Sequence, residues 1–317
     1  MSAAAGVPEL VKPAIAGDVR GLARLISLVE DGAPQLRAVM AALAPHQGRA
    51  RVIGLTGAPG VGKSTTTAAL IAAYRADGLR VAVLAVDPSS PFSGGALLGD
   101  RVRMQAHAGE DGVYIRSMAS RGHLGGLARA TPQAVRVLEA AGFDVVLIET
   151  VGVGQAEVDI AGLADTTVVL LAPGMGDSVQ AAKAGILEIA DILVVNKSDR
   201  DGANNTVRDL QAMLTYADRA AGAWTPTIVR TVASDGTGID ELVAAIGAHE
   251  AWSRQSGRLG DRRLRRAEAE VRAILIDRLD ERLAQPASSR ELAALAREVV
   301  TGGLDAYTAA DAMGRIQ

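Results

Sequence analysis

The stretch Gly57-Ala58-Pro59-Gly60-Val61-Gly62-Lys63-Ser64-Thr65 limits what this chain can fold into more than any other. It follows an apolar run, Val52-Ile53-Gly54-Leu55, and opens onto a helix-favouring run, Thr67-Ala68-Ala69-Leu70-Ile71-Ala72-Ala73. A strand, a glycine-rich turn ending in Lys-Ser and a helix together make a phosphate-binding loop. Glycines let backbone N–H groups converge on phosphate oxygens, and the helix start adds its positive dipole end. Lys63 is expected to reach the β- and γ-phosphates, and the Ser64 hydroxyl to take a place on Mg²⁺. The plain alternative is a turn that ends in Lys-Ser by chance. A strand and a helix in the right places weigh against it.

The base is read from a second stretch. Asp191-Ile192-Leu193-Val194-Val195 is an apolar strand that runs into Asn196-Lys197-Ser198-Asp199. A carboxylate at Asp199 accepts two hydrogen bonds from the N1–H and 2-amino edge of guanine. Adenine offers an acceptor at N1 and no amino group at C2, so it leaves the carboxylate badly paired, and unpaired polar groups are how a site rejects an analogue. Lys197 is expected to lay its stem along the base, and Asn196 to tie this loop to the phosphate loop. The segment Val232-Ala233-Ser234-Asp235-Gly236-Thr237-Gly238 follows another short strand. It is expected to close over the guanine from the other side, with Ser234 at the base. A plain strand-to-helix loop is the alternative there.

Two further strands end in acids. Val81–Val86 runs into Asp87, and Val145–Ile148 runs into Glu149. In a parallel sheet the carboxyl ends of the strands converge on one crevice. Acids there are read as Mg²⁺ partners, directly or through water, unless they merely cap the next helix. The loop Gly94–Arg103 carries Asp100, which either orients the attacking water, helps hold Mg²⁺ or caps a helix. The candidate catalytic groups are thus Lys63, Asp100 and Glu149, and the candidate metal groups Ser64, Asp87, Asp100 and Glu149. The Gly152 backbone N–H is a candidate γ-phosphate sensor, and Gln155 a candidate water-positioning group.

Taken together, GAPGVGKST, AVDPSSPFSGGALLGDRVRM, MASRGHLGGLA, ETVGVGQAEVD and NKSD occur in an order that resembles the MeaB/ArgK/MMAA family of P-loop GTPases. The resemblance spans most of the chain. It implies a GTP-hydrolysing chaperone of adenosylcobalamin-dependent acyl-CoA mutases such as methylmalonyl-CoA mutase, gating cofactor loading and helping to eject damaged cofactor. It also implies a homodimer and an additional switch at Pro173–Gly185 that relays nucleotide state to the mutase, with Lys183 as its polar handle. Lys183 as a surface lysine on a helix is the bland alternative. An older label in the family, a transport-system ATPase or kinase, fits poorly with a guanine-reading Asn-Lys-x-Asp.

Bulk properties exclude other classes. The chain has 317 residues, a net charge of −3 and no cysteine. Near-neutral charge gives no support for nucleic-acid binding, and the absence of cysteine removes disulfides and thiolate metal sites. The four histidines have no paired ligand spacing. His123 and Gly126 have Arg121 where the Asp-x-His-x-x-Gly cobalamin motif has Asp, so direct binding of cobalamin is not expected. No apolar run approaches the roughly 20 residues of a membrane span, and no signal or transit peptide is evident. A cytoplasmic protein is therefore expected.

The expected fold is α/β: a P-loop NTPase three-layer arrangement with a mostly parallel sheet. Residues 1–47 read as N-terminal helices, with Asp18 as an N-cap and a break at Gly32-Ala33-Pro34. Residues 48–251 read as the GTPase domain. Residues 252–317 read as a helical segment, and the family resemblance makes it a dimerisation arm. Leu264, Val271, Ile274, Leu279 and Leu283 form a stripe along it. Gln285-Pro286 is expected to break the long helix, with the next one starting on a Ser288 or Ser289 cap.

Overall fold

The computed structural model of this chain describes residues 6–87, 107, 109–119, 130–150, 156–174, 188–216, 220 and 222–314; for 87, 119 and 156–158 this covers the backbone alone. The chain divides into one compact unit ending at Arg263 and a second beginning at Leu264.

Seven strands form the centre of the first unit: β1 Arg51–Thr56, β2 Val81–Asp87, β3 Val113–Ala119, β4 Val145–Thr150, β5 Thr166–Leu171, β6 Ile192–Val195 and β7 Thr227–Arg230. They lie in the order β3-β2-β4-β1-β5-β6-β7. Every pairing among them is parallel. Parallel neighbours need crossovers, and the helices supply them on both faces, which is why the strands read as continuous apolar runs.

Alternate residues of each strand face opposite layers. On one side Val52, Leu84, Val146 and Ile148 pack with α1 Val7–Ile15, α2 Val19–Glu30, α3 Leu36–Leu43 and α5 Thr131–Ala140. The N-terminal helices thus share a layer with α5. On the other side Ile53, Leu55, Val83 and Leu147 meet α4 Lys63–Ala76 and α8 Ile239–Gln255. A smaller cluster joins Val169, Leu171, Leu193 and Val195 to α7 Ala203–Tyr216. Helix α6, Ala156–Leu163, carries the chain from β4 across to β5, contributing Ile160 to the first core. Each fully buried Leu or Ile is worth about 1.5–3 kcal/mol against exposure. The two faces together hold the sheet as the middle of three layers.

Local signals agree with these elements. The Asp18 carboxylate accepts from Gly21 N at 2.6 Å and so caps α2. In α4 the turn Gly57–Gly62 delivers its end, at left-handed φ, directly into the first helical residue, Lys63.

The helix α9, Arg258–Leu283, runs from the end of the first unit into the second. Within the second unit follow α10 Pro286–Val300 and α11 Ala306–Gly314. Here the expected Ser cap is corrected. Helix α10 begins at Pro286, two residues before Ser288, with Gln285 as N-cap and no side-chain cap bond. Proline at the first helical position has its φ already set and gives up an N–H that would be unsatisfied anyway, so the break and the start coincide. Leu264, Val271, Leu275, Ile276 and Leu279 are exposed along α9. No described helix is long and apolar enough to cross a membrane.

Candidate nucleotide site

The site is built at the carboxyl end of β1. The reversal of strand order places β4 beside β1 on one side and β5 on the other. Register sets Leu55 opposite Glu149, so the last acid of β4 arrives level with the start of the phosphate loop.

That loop is shaped by close approach. Gly57 has φ 139°, and a Cβ placed on it would lie 2.3 Å from the Leu170 carbonyl oxygen of β5. Gly62 has φ 100°, and a Cβ there would lie 2.3 Å from Asn196 Nδ2. Only glycine meets both demands, conformational and spatial. Lys63 Nζ donates to the carbonyls of Gly57 at 2.7 Å and Ala58 at 3.1 Å, which holds the ammonium across the loop.

The first turn of α4 then meets the acid. Ser64 Oγ donates to Glu149 Oε1 at 2.6 Å. Thr67 Oγ1 lies 2.9 Å from Glu149 Oε2 and 3.0 Å from the Lys63 carbonyl, and its single proton serves one of them at a time. Glu149 is 2% exposed. A buried carboxylate needs partners for its oxygens, and these hydroxyls at a helix start provide them. Sequence reading missed Thr67. Its signal was its spacing, four residues after Lys63 and therefore one turn along the same helix face.

A hard cation is served by oxygen donors, and Mg²⁺ typically uses one or two carboxylates together with substrate phosphates and waters. The Ser64 hydroxyl and Glu149 carboxylate fit that donor set. Among the described residues no group of three His, Cys, Asp or Glu side chains could hold a metal by itself. Asp87 ends β2, two strands from β1, and its backbone pairs with Ala119. Asp100, Gly152, Gln155 and Lys183 lie outside the described residues.

The expected base end is organised by Asn196, itself 2% exposed. Asn196 Nδ2 donates to the Val61 carbonyl at 2.8 Å. Its Oδ1 accepts from Thr231 Oγ1 and from Ala233 N, both at 3.1 Å. One side chain therefore joins the phosphate loop, the end of β6 and the loop after β7. Lys197 Nζ reaches back to the Gly60 carbonyl at 2.6 Å. Lys197 has φ 56°, the one positive value at a non-glycine among the described residues. Such a conformation persists where the surroundings over-determine it, and it clusters at ligand-binding positions. Ser198 N donates to the Thr231 carbonyl at 3.1 Å, and Asp199 stands exposed just beyond.

The loop after β7 closes on itself through a Val232–Thr237 bridge. Asp235 caps it, and its carboxyl is held below the usual carboxylate range by the Thr237 backbone N–H and hydroxyl. Ser234 and Thr65 line an open groove of about 500 Å³ that continues between α4 and α8 past Ala68, Ala72 and Ile239. The structure thus brings Lys63, Ser64, Thr65, Glu149, Asn196, Lys197 and Ser234 to one end of the sheet.

Comparison with known proteins gives a consistent result. The family described as methylmalonyl-CoA mutase-associated GTPase MeaB matches residues 22–288. A Pyrococcus abyssi protein described as a GTPase is 46% identical over 308 residues, covering 96% of this chain and 95% of the relative. The mitochondrial methylmalonic aciduria type A homolog of Mus musculus is 37% identical over 263 residues, covering 82% of this chain and 63% of the relative. A solved structure described as a LAO/AO transport system kinase superposes with a TM-score of 0.72 at 29% identity, covering 98% of this chain and 97% of that one.

Proposed function

The chain belongs to the family of methylmalonyl-CoA mutase-associated GTPases, as the order of its motifs implied, and from that premise we propose that its GTPase cycle gates adenosylcobalamin loading of an acyl-CoA mutase and protects that mutase. The observation that carries the reading is the two-ended site. Ser64 and Glu149 meet at the phosphate end, while Asn196 fastens the base loop to the same phosphate loop. A change at the phosphates is thereby felt at both ends of one buried network.

In this reading Lys63 leaves the Gly57 and Ala58 carbonyls for the β- and γ-phosphates. The backbone N–H groups of Ala58 to Thr65 cradle the remaining oxygens, and Asp199 reads the guanine edge. Ser64 and Glu149 are the described groups that would hold Mg²⁺, which supplies charge neutralisation at the phosphates when bound. Phosphoryl transfer needs mostly positioning and neutralisation of charge. A site whose switch groups (Asp100, Gly152, Gln155, Lys183) are completed by a partner is slow alone and faster in complex. By linkage, a mutase that prefers the GTP form tightens GTP binding by the same factor.

The exposed stripe of Leu264, Val271, Leu275 and Leu279 on α9 supports a homodimer joined through the helical arm. We place the protein in the cytoplasm with its client and assign it no nucleic-acid or membrane partner and no cobalamin of its own.

The test is GTP hydrolysis with and without a purified adenosylcobalamin-dependent acyl-CoA mutase. Stimulation, and a complex that depends on the nucleotide, are expected. Equal rates with no complex in any nucleotide state would remove the chaperone reading. The kinase description of the structural relative favours a second reading, an ATP-dependent transport-associated kinase. Competition of ATP against GTP separates the two, since Asn196-Lys197-Ser198-Asp199 predicts guanine.

A further inference from the structure

At the opposite end of the sheet from the nucleotide site, two adjacent arginines clasp two strand-entry aspartates. Arg262 lies in the first turns of α9. Its two terminal nitrogens donate to Asp191 Oδ2 at 2.6 Å and Oδ1 at 3.0 Å, and one of them also reaches the Asp165 carbonyl at 2.9 Å. Arg263 makes the matching fork on Asp165, at 2.6 and 3.2 Å, and donates to the carbonyls of Gly48 and Ala50. Asp165 immediately precedes β5, and Asp191 immediately precedes β6.

Asp191 has further ties of its own. It also accepts from Thr167 N at 2.8 Å, and its own carbonyl accepts from Trp224 Nε1 at 2.7 Å. His249, fully buried, brings Nε2 within 3.2 Å of Asp191 Oδ1, while its Nδ1 lies 2.8 Å from Thr166 Oγ1. Trp224 and Trp252 both pack on the His249 ring. These are the chain's two tryptophans.

Between this joint and the base loop there is only β6. Its four residues are all fully buried and paired to β5 on one side and β7 on the other. From Asp191 to Asn196 an extended chain rises about 16 Å, at about 3.3 Å per residue, with no slack. The head carries that position onward: Asn196 N donates to the Leu171 carbonyl, and the Asn196 side chain makes three bonds to the neighbouring loops. A recognition group must be held to within about 0.5 Å by its supporting shell. Nothing in a four-residue buried strand absorbs a displacement of that size.

We propose that Arg262 and Asp191 are positioning residues for guanine recognition: the guanidinium fork at the foot of β6 sets the placement of Asp199 at its head. The inference rests on the reading of Asp199 as the base-reading group. Planar, bidentate geometry is the reason for arginine here, because a lysine ammonium supplies charge without fixing orientation.

The experiment uses the full chain with Mg²⁺ at fixed salt. Affinities for GDP and for inosine diphosphate, which lacks the 2-amino group, are measured in the wild type, Arg262→Gln, Arg262→Lys, Asp199→Asn and the Arg262→Gln/Asp199→Asn pair. The GDP-over-IDP ratio should fall about fivefold to tenfold in Arg262→Gln, in the range of coupling through a packed element. Arg262→Lys should recover part of it. The double variant should lose no more than Asp199→Asn alone, because both changes act on one group. Tryptophan emission of the wild type should respond to GDP and not to pyrophosphate.

A lowered melting temperature with an unchanged ratio in Arg262→Gln would make the clasp purely stabilising and overturn the proposal. If Arg262→Gln does not fold, an unchanged ratio in Arg262→Lys together with indifferent tryptophan emission overturns it equally. A wild type with no preference for GDP over IDP defeats the base-site reading itself, and the proposal with it.

Discussion

The Asn196 side-chain amide nitrogen lies 2.8 Å from the carbonyl oxygen of Val61, across 135 residues of chain. This bond joins the loop proposed to read the base to the loop proposed to hold the phosphates. It also explains why position 62 must be glycine, since a Cβ there would occupy the place of the Asn196 amide. In the proposed reading, binding of the two halves of one nucleotide is thereby made a single event.

Replacing Asn196 with Ala leaves the Val61 carbonyl, the Thr231 hydroxyl and the Ala233 N–H without their partner. Buried groups left so cost about 1–3 kcal/mol each, less what water recovers, so a loss of about 2–4 kcal/mol is expected. Thermal unfolding with and without GDP measures it. A variant that unfolds at the wild-type temperature would deny the bond any role in holding the loops.

Glu149→Gln keeps a hydrogen-bonding side chain against Ser64 and Thr67 but removes the charge. Phosphate release should fall by about 10–100-fold, the usual cost of disturbing a metal's supporting groups. The Mg²⁺ concentration at half-maximal activity should rise. Full activity at unchanged Mg²⁺ demand would place the metal on other residues.

Gly57→Ala sets a methyl group 2.3 Å from a backbone oxygen of β5 at a φ that L-residues rarely adopt. Because the obstacle is backbone in a central strand, it cannot swing aside. About 1–3 kcal/mol of strain is expected from the dihedral alone, with overlap added. Calorimetric binding of GDP should be abolished or reduced by orders of magnitude; near-native affinity would show that the loop re-forms elsewhere.

Asp199→Asn exchanges two acceptors for one acceptor and one donor. GTP affinity should drop by about 10² or more, and xanthosine triphosphate, with an oxygen in place of the 2-amino group, should gain. Competition between the two nucleotides decides the matter, and an unchanged preference for GTP would clear Asp199 of base reading.

Acid stability should depend on Asp191. Burial acts to raise its pKa, but the His249 ring nitrogen against it and the Arg262 guanidinium fork outweigh this and hold it below its ordinary value of 3.8. A group depressed in the folded state contributes stability that is complete above the unfolded value. That stability is lost as pH falls through the folded one. The melting temperature should therefore hold steady through neutral pH and drop below about pH 4. In Asp191→Asn this part of the acid dependence should be missing, and scans from pH 7 to pH 2 would reveal an unaltered slope if Asp191 were not its source.

The family of this protein and its candidate site were legible in its sequence because its motifs are local. Gly57 to Thr65 and Asn196 to Asp199 each carry their donors and acceptors within one short segment, so strand, turn and helix signals were enough to mark candidate phosphate and base ends. The parallel sheet followed for a similar reason, from continuous apolar runs separated by helices. What tertiary structure alone decided was adjacency. Nothing in the linear order says that β4 inserts between β1 and β2, yet that insertion is what sets Glu149 against Ser64 and Thr67, more than 80 residues away. The Arg262–Asp191 clasp spans 71 residues, and in sequence it looks like one more arginine in a charged helix. Local pattern encodes what a segment offers; which segments meet is settled by how the whole chain buries its apolar faces, and that is a property of no single segment.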